Sequence, residues 1–259
     1  RAARDGSDSC RTNPFSGSAG DRQEDRPVQR GEERKEENHT SLIPGGTDMG
    51  VDRKKIGIMG GTFDPIHVGH LILGEKAYEQ LNLDKVWFMP SGNPPHKRNR
   101  DGCASDEQRV EMVKRAISGN PHFELSLIEI YEDVYKYIYR SLETLKEQNP
   151  DTDYYFIIGA DSLYSFATWK EPARICGACT VVAASRNHVP AESLDQQMTF
   201  LSQQYGGCFI RLDTMNIDVS SRHLRQWLQE GKSLRYYVPD SVIEYIRKNN
   251  IYQTENRLV

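Results

Sequence analysis

From Lys54 onward the chain alternates short apolar runs with amphipathic stretches, and few folds accept that order. "KKIGIMG" (54–60), "DKVWFMPS" (84–91), "HFELSLIEI" (122–130), "DYYFIIGAD" (153–161), "CTVVAASR" (179–186) and "CFIRLD" (208–213) read as strands. Between the first two, Leu71, Leu73, Ala77, Tyr78 and Leu81 recur at near-helical spacing over 69–81. Residues 105–118 open with a Ser-x-x-Gln capping box, and a further helix at 138–147 stops before Pro150. A Ser-capped helix at 220–230 ends at Gly231, and a last one begins within 238–249. Strands that alternate with helices pair in parallel and are covered on both faces. The expected fold is α/β: a Rossmann-like doubly wound parallel sheet, one domain with a helical C-terminal part. Such sheets bind ligands beyond the carboxyl ends of their strands, where the strand order reverses.

Residues 1–48 do not share this rhythm. They are polar, rich in Arg, Glu, Asp and Gly, and too poor in apolar side chains to offset the entropy of ordering. They are expected to form a disordered leader, with the folded domain spanning 49–259. Because Met49 directly precedes the first strand, the leader is expected not to be native. It lacks the apolar centre of a secretory signal, and its acids argue against a transit peptide. Net charge is −4, which does not suit a general nucleic-acid binder or a protein of anionic membrane surfaces. No apolar run approaches the roughly 18 residues of a membrane span. Five cysteines at irregular spacing make no disulfide framework. Cys176 and Cys179 form a lone C-x-x-C that runs directly into an apolar strand, so packing is favoured over zinc or redox chemistry. These features lead us to expect a cytoplasmic protein.

The sharpest chemical signal follows the first strand: "GGTFDPIHVGH", 60–70. Gly60 and Gly61 allow a sharp turn and close approach of a ligand to backbone. A helix starting near Gly69 presents N–H groups and a positive dipole end, which suit phosphate. His67 and His70 sit at that end, three residues apart, with no side chain at Gly69 to separate them. The spacing is neither the dinucleotide fingerprint nor a Walker A loop. "GKS" at 231–233 is a decoy, since Gln226 stands where a Walker A glycine is required. H-x-x-H could also ligate a metal or merely cap the helix, and the spacing alone leaves these open.

Four ordered blocks decide the matter further. "GGTFDPIHVGH" resembles the signature of the HxGH nucleotidyltransferases. "SGNPPHK" (91–97), "IIGADSLYSFATWK" (157–170) and "VSSRHLRQWLQEGKSLRYYVPDSVIEYI" (219–246) resemble blocks of the bacterial nicotinate-mononucleotide adenylyltransferases. The similarity runs over about 54–252. It implies transfer of AMP from ATP to nicotinic acid mononucleotide, giving deamido-NAD and pyrophosphate. Close alternatives are an HxGH adenylyltransferase acting on nicotinamide mononucleotide or phosphopantetheine, a nucleotide sensor without turnover, and a metal hydrolase.

By that resemblance His67 and His70 meet the ATP phosphates, and His70 stabilises the transition state at the α-phosphoryl group. Gly60, Gly61, Thr62 and Phe63 line the turn beside the nucleotides. Ser220, Ser221 and Arg225 match the S-S-x-x-I-R block, with Arg225 on the leaving pyrophosphate and Arg222 where Thr or Ser is usual. Lys97 reaches over the phosphates, and Gly159 and Asp161 hold the adenosine side. Trp169 and Lys170 mark the nicotinate end, Arg186 meets phosphate, and Ser141 and Thr144 read the acid carboxylate. The chain departs from the family just before these last two, where "YEDVYKYIY" (131–139) lacks the usual glycine. Mg2+ is implied as a companion of ATP, held mainly by phosphates and water and not by a protein cage. The implied partners are the two nucleotides, with no nucleic acid or membrane. A homo-oligomer is compatible with all of this.

Overall fold

The computed structural model describes residues 53–92, 102–130, 137–184, 191–215 and 217–252. The leader, Lys97, Arg186 and residues 131–136 lie outside the described residues.

Six parallel strands form one sheet in the order β3-β2-β1-β4-β5-β6. They are β1 (Lys54–Gly61), β2 (Lys85–Pro90), β3 (Phe123–Leu125), β4 (Thr152–Gly159), β5 (Thr180–Ala184) and β6 (Phe209–Leu212). The helices are α1 (Val68–Leu81), α2 (Asp106–Ile117), α3 (Ile138–Gln148), α4 (Ala160–Ser165), α5 (Pro172–Ala178), α6 (Ala191–Tyr205), α7 (Ser221–Gln229) and α8 (Asp240–Lys248). A short 3-10 turn, Phe166–Thr168, continues α4.

Side-chain alternation sorts the core onto two faces. Met59, Val86, Phe88, Ile157, Val182 and Ala184 join residues of α1, α2, α7 and α8 in one buried cluster. Ile56, Ile58, Met89, Tyr154, Phe156, Ile158, Val181 and Ala183 join residues of α3, α4, α5 and α6 in the other. Among the described residues no helix is long and apolar enough to cross a membrane.

Several expectations are met closely. Ser105 caps α2: its Oγ accepts from Gln108 N at 3.3 Å, and Gln108 Oε1 accepts from Ser105 N at 2.9 Å. Three expectations change. The third strand keeps only Phe123–Leu125 before the chain turns at 128–130. The fourth strand ends at Gly159, which caps α4, so Asp161 lies in the first turn of a helix. Finally, α4, α5 and α6 were not anticipated, although Leu194, Met198 and Leu201 in α6 are buried at helical spacing.

Candidate active site

The sheet opens at its centre. β1 stays paired with β2 as far as Gly61 opposite Pro90, and β4 with β5 as far as Gly159 opposite Ala184. The ladder between β1 and β4 ends earlier, at Met59 opposite Ile157. The two strands therefore part at Gly60–Gly61 and Ile158–Gly159. Here the strand order reverses, and the crevice of a doubly wound sheet belongs at this point.

The turn after β1 is built to aim the histidines. Phe63 holds a left-handed backbone, φ 51°, and its buried ring meets His70 edge-on at 5.0 Å. The imidazoles of His67 and His70 stack at 3.7 Å between centroids. A β-carbon at Gly69 would lie 3.1 Å from Cε1 and Nδ1 of His67, so the small residue leaves room for that ring. The backbone N–H of His67 donates to Nδ1 of His70 at 3.2 Å. An accepting Nδ1 carries no proton, so neutral His70 bears its proton on Nε2 and is a donor there. His67 is 1% exposed and sits behind the half-buried His70. An anion at this end would therefore meet His70 first.

The N-terminus of α1 is less open than its sequence implies. Val68 N donates to Tyr237 O at 2.9 Å and His70 N to His67 O at 2.9 Å. An anion bound here would depend more on side chains and less on helix amides than the glycine-rich turn suggests.

Helix α7 closes on the same turn. Ser220 caps it, accepting from His223 N at 3.3 Å. Ser221 Oγ donates to Pro65 O at 2.9 Å. Arg225 Nη1 donates to Asp64 O and lies 3.4 Å from Asp64 Oδ2. Arg222 is exposed. Ser220, Ser221, Arg225, His67, His70 and the 60–63 turn are thus gathered around one bend of chain.

The predicted mononucleotide end is placed less uniformly. Trp169 is half-buried, its ring 5.4 Å from Phe166 and 6.1 Å from Phe156, so at least part of it serves the core. Lys170 and Asp161 are exposed, and Thr144 is half-buried. Ser141 is fully buried, and its hydroxyl donates to Glu129 Oε1 at 2.8 Å. Reading a substrate carboxylate would require it to give up that bond. Gly92, after β2, packs on the same segment: a β-carbon there would stand 2.5 Å from Glu129 O.

Two residues central to this geometry were not singled out from sequence. Arg109 is 0% exposed and donates to Thr62 O at 2.6 Å, Ser91 O at 2.6 Å and Asp106 Oδ1 at 2.8 Å. It ties the loop after β1 to the loop after β2. A signal existed: Arg109 stands on the apolar stripe of α2 with Met112, Val113 and Ile117. Asp64 is 4% exposed and accepts from Ala104 N at 3.0 Å and from Tyr252 Oη at 2.7 Å. Burial, with the Asp64 carboxylate second, holds the Tyr252 phenol well above its ordinary range.

Among the described residues no group of three or more His, Cys, Asp or Glu could hold a metal ion. The buried carboxylate nearest the histidines in sequence, Asp64, is already engaged by Ala104, Tyr252 and Arg225. A divalent ion here would have to bring its ligands with it, as a nucleotide-bound ion does. Cys176 and Cys179 are buried in the core; burial pushes the first thiol up to about 11 and the second up to about 12. Neither is a ready thiolate, which agrees with a packing role.

A sheet that parts at its switch point, followed by a turn that gathers two histidines and a helix-borne arginine, is the arrangement of an α/β protein suited to nucleotides and their phosphates. The model of the cytidylyltransferase-like family matches residues 58–227. A protein of Lachnoclostridium phytofermentans, named a probable nicotinate-nucleotide adenylyltransferase, is 39% identical over 199 residues, 77% of this chain and 99% of the relative. One of the same name from Desulfitobacterium hafniense is 40% identical over 204 residues, covering 77% and 96%. In fold, the chain is similar to the nicotinic acid mononucleotide adenylyltransferase of Plasmodium falciparum solved with NaAD, with a TM-score of 0.63 and 22% identity over 77% of this chain and 97% of that one. The chain belongs to the cytidylyltransferase-like family, among its nicotinate-nucleotide adenylyltransferases.

Proposed function

We propose that this protein transfers the AMP moiety of ATP to nicotinic acid mononucleotide, forming deamido-NAD and pyrophosphate in NAD synthesis. The observation that carries this reading is the pairing of His67 and His70 at the start of α1, beyond the carboxyl end of β1, in a chain alignable with such enzymes over nearly their whole length.

The nucleophile is a phosphate oxygen of the mononucleotide, largely dianionic at neutral pH because a monoester's second pKa is about 6. It needs no general base. It attacks the α-phosphorus, the bond to the β-phosphate oxygen breaks, and pyrophosphate leaves with the electron pair. The protein aligns the two phosphates and neutralises the charge that gathers on the equatorial oxygens. His70 supplies an Nε2–H donor to the α-phosphoryl oxygens, and His67 holds its orientation from behind. Arg225, Ser220 and Ser221 serve the leaving pyrophosphate. Gly60, Gly61, Thr62 and Phe63 shape the floor, with Gly159 and Asp161 on the adenosine side. Trp169 offers an indole face to the pyridine ring, with Lys170 beside it and Thr144 as a hydroxyl for the acid. Mg2+ accompanies ATP and offsets phosphate charge. The domain that does this spans 49–259 and works in the cytoplasm.

Pyrophosphate release, measured with ATP and Mg2+, tests the reading directly. Strong preference for nicotinic acid mononucleotide over the amide is expected. Equal turnover of the two, or preference for the amide, would overturn the acceptor assignment. Tight ATP binding without turnover would favour a sensor.

A further inference from the structure

We propose that Asp64 is a positioning residue for Arg225, and that Tyr252 makes it one. This rests on the reading above, in which Arg225 serves the leaving pyrophosphate. A carboxylate that is 4% exposed is costly to keep unless its oxygens are satisfied. Asp64 is satisfied by donors from three separate parts of the chain. Ala104, before α2, and Tyr252, after α8, both donate to Oδ1, at 3.0 and 2.7 Å. Two donors on one oxygen set the tilt of the carboxylate and turn Oδ2 toward Arg225, whose Nη1 stands 3.4 Å away.

The same Nη1 also donates to the backbone oxygen of Asp64. One nitrogen of a planar guanidinium is thereby pinned from two directions, and its plane follows. Nε and Nη2 of Arg225 have no partner among the described residues, and the side chain is 24% exposed. Those donors remain for an anion, in the bidentate geometry that arginine offers phosphate. The bend that carries Asp64 leads directly to His67 and His70. The carboxylate therefore sets the spacing between the imidazoles and the guanidinium.

Tyr252 is suited to its part. Its phenol stays protonated because burial and the neighbouring carboxylate both oppose ionisation, so it is a permanent donor to Oδ1. It arrives from beyond the last helix on a left-handed backbone, φ 67°, and reaches 188 residues back in sequence. Completion of the site thus waits on the far end of the folded chain.

A cycle of variants separates positioning from simple support of the fold. Asp64→Asn keeps the shape but loses the charge that draws Arg225, and Arg225→Met removes the group acted upon. Both, and the double variant, are assayed for kcat of pyrophosphate release and KM for ATP, with folding followed by circular dichroism and thermal melting. Asp64→Asn is expected to lower kcat by about tenfold or more in the parent, as a misplaced group does. In the Arg225→Met background it should lower kcat by less than about twofold, because coupled residues are not additive. KM for ATP should change less than kcat. An equal loss in both backgrounds would overturn the proposal while leaving the role of Arg225 intact. A parent-like kcat for Arg225→Met would refute the reading of Arg225 itself, and the proposal with it. If Asp64→Asn does not fold, Tyr252→Phe takes its place in the cycle, with a smaller but equally non-additive loss expected.

Discussion

The two faces of the sheet are built on different principles. The α3–α6 face is nearly dry: apart from the hydroxyls of Ser141 and Thr152 its buried set is aliphatic and aromatic, with two thiols held protonated by burial. The α1, α2, α7 and α8 face carries the same kind of apolar packing, but three polar side chains (Asp64, His67 and Arg109) are buried at its carboxyl edge. Each of these is held by hydrogen bonds that cross between loops, or by a stacked partner. A buried polar group is specific only when its partners are in place, and costly when one is lost. The first face buries mostly apolar area, while the second also buries a carboxylate, an imidazole and a guanidinium at its carboxyl edge.

Substitutions on the two faces should therefore separate activity from stability. The largest effect is expected for His70→Ala. Loss of a donor to transition-state charge costs about a hundred- to a thousandfold in kcat, while the melting temperature stays near that of the parent. A near-parental kcat would remove His70 from the mechanism. Next comes Arg109→Met. It leaves Thr62 O, Ser91 O and Asp106 without their buried cation, and should cost about 3–5 kcal/mol in urea unfolding. It should also raise KM for ATP in the molecules that remain folded, because two site loops lose their tie. On the dry face, Leu142→Ala should cost about 2–5 kcal/mol, since the side chain is fully buried. Yet kcat per folded molecule should hold. If Leu142→Ala slowed the chemistry as much as Arg109→Met, the division between the faces would fail.

The smallest effect on activity is expected for Cys176→Ala with Cys179→Ala, which removes two buried sulfurs and whose pH-dependent part appears only in alkali. In the folded chain burial raises these thiols from about 9 to about 11 and about 12. The unfolded chain ionises first, so the thiols contribute their full stability below pH 9. That contribution is lost as pH rises toward 12. The double variant should lose less stability than the parent across that window, as read by thermal melting. An identical slope in both proteins would show that the thiols stay protonated in neither state or in both.

Much of this molecule was legible because the signals were local. The strand at 54–60, the cap at Ser105 and the helix from Ser220 to Gly231 follow from periodicity and capping chemistry carried within a few residues. The H-x-G-H spacing was legible for the same reason: Gly69 makes room for the ring of His67 two residues away. The missed helix α6 was legible as well, since Leu194, Met198, Leu201 and Tyr205 recur at helical spacing. It went unread because polar residues dominate its other faces. The third strand was overread: its alternating apolar residues continue past Leu125, but the chain turns at 128–130, where Gly92 packs against Glu129.

The amino-acid order by itself determined which segments could be strands or helices, and placed the histidines at the start of the first helix. Backbone sterics and side-chain periodicity act over one or two turns of chain, so they are written locally. Only the tertiary structure decided that β1 and β4 part company at Met59 and Ile157, and that Arg109 laces two loops together. It alone brought Tyr252 to Asp64, and Asp64 to Arg225. Those contacts join groups far apart in the chain. They depend on which surfaces meet when the core closes, and a buried charge finds its partner only there.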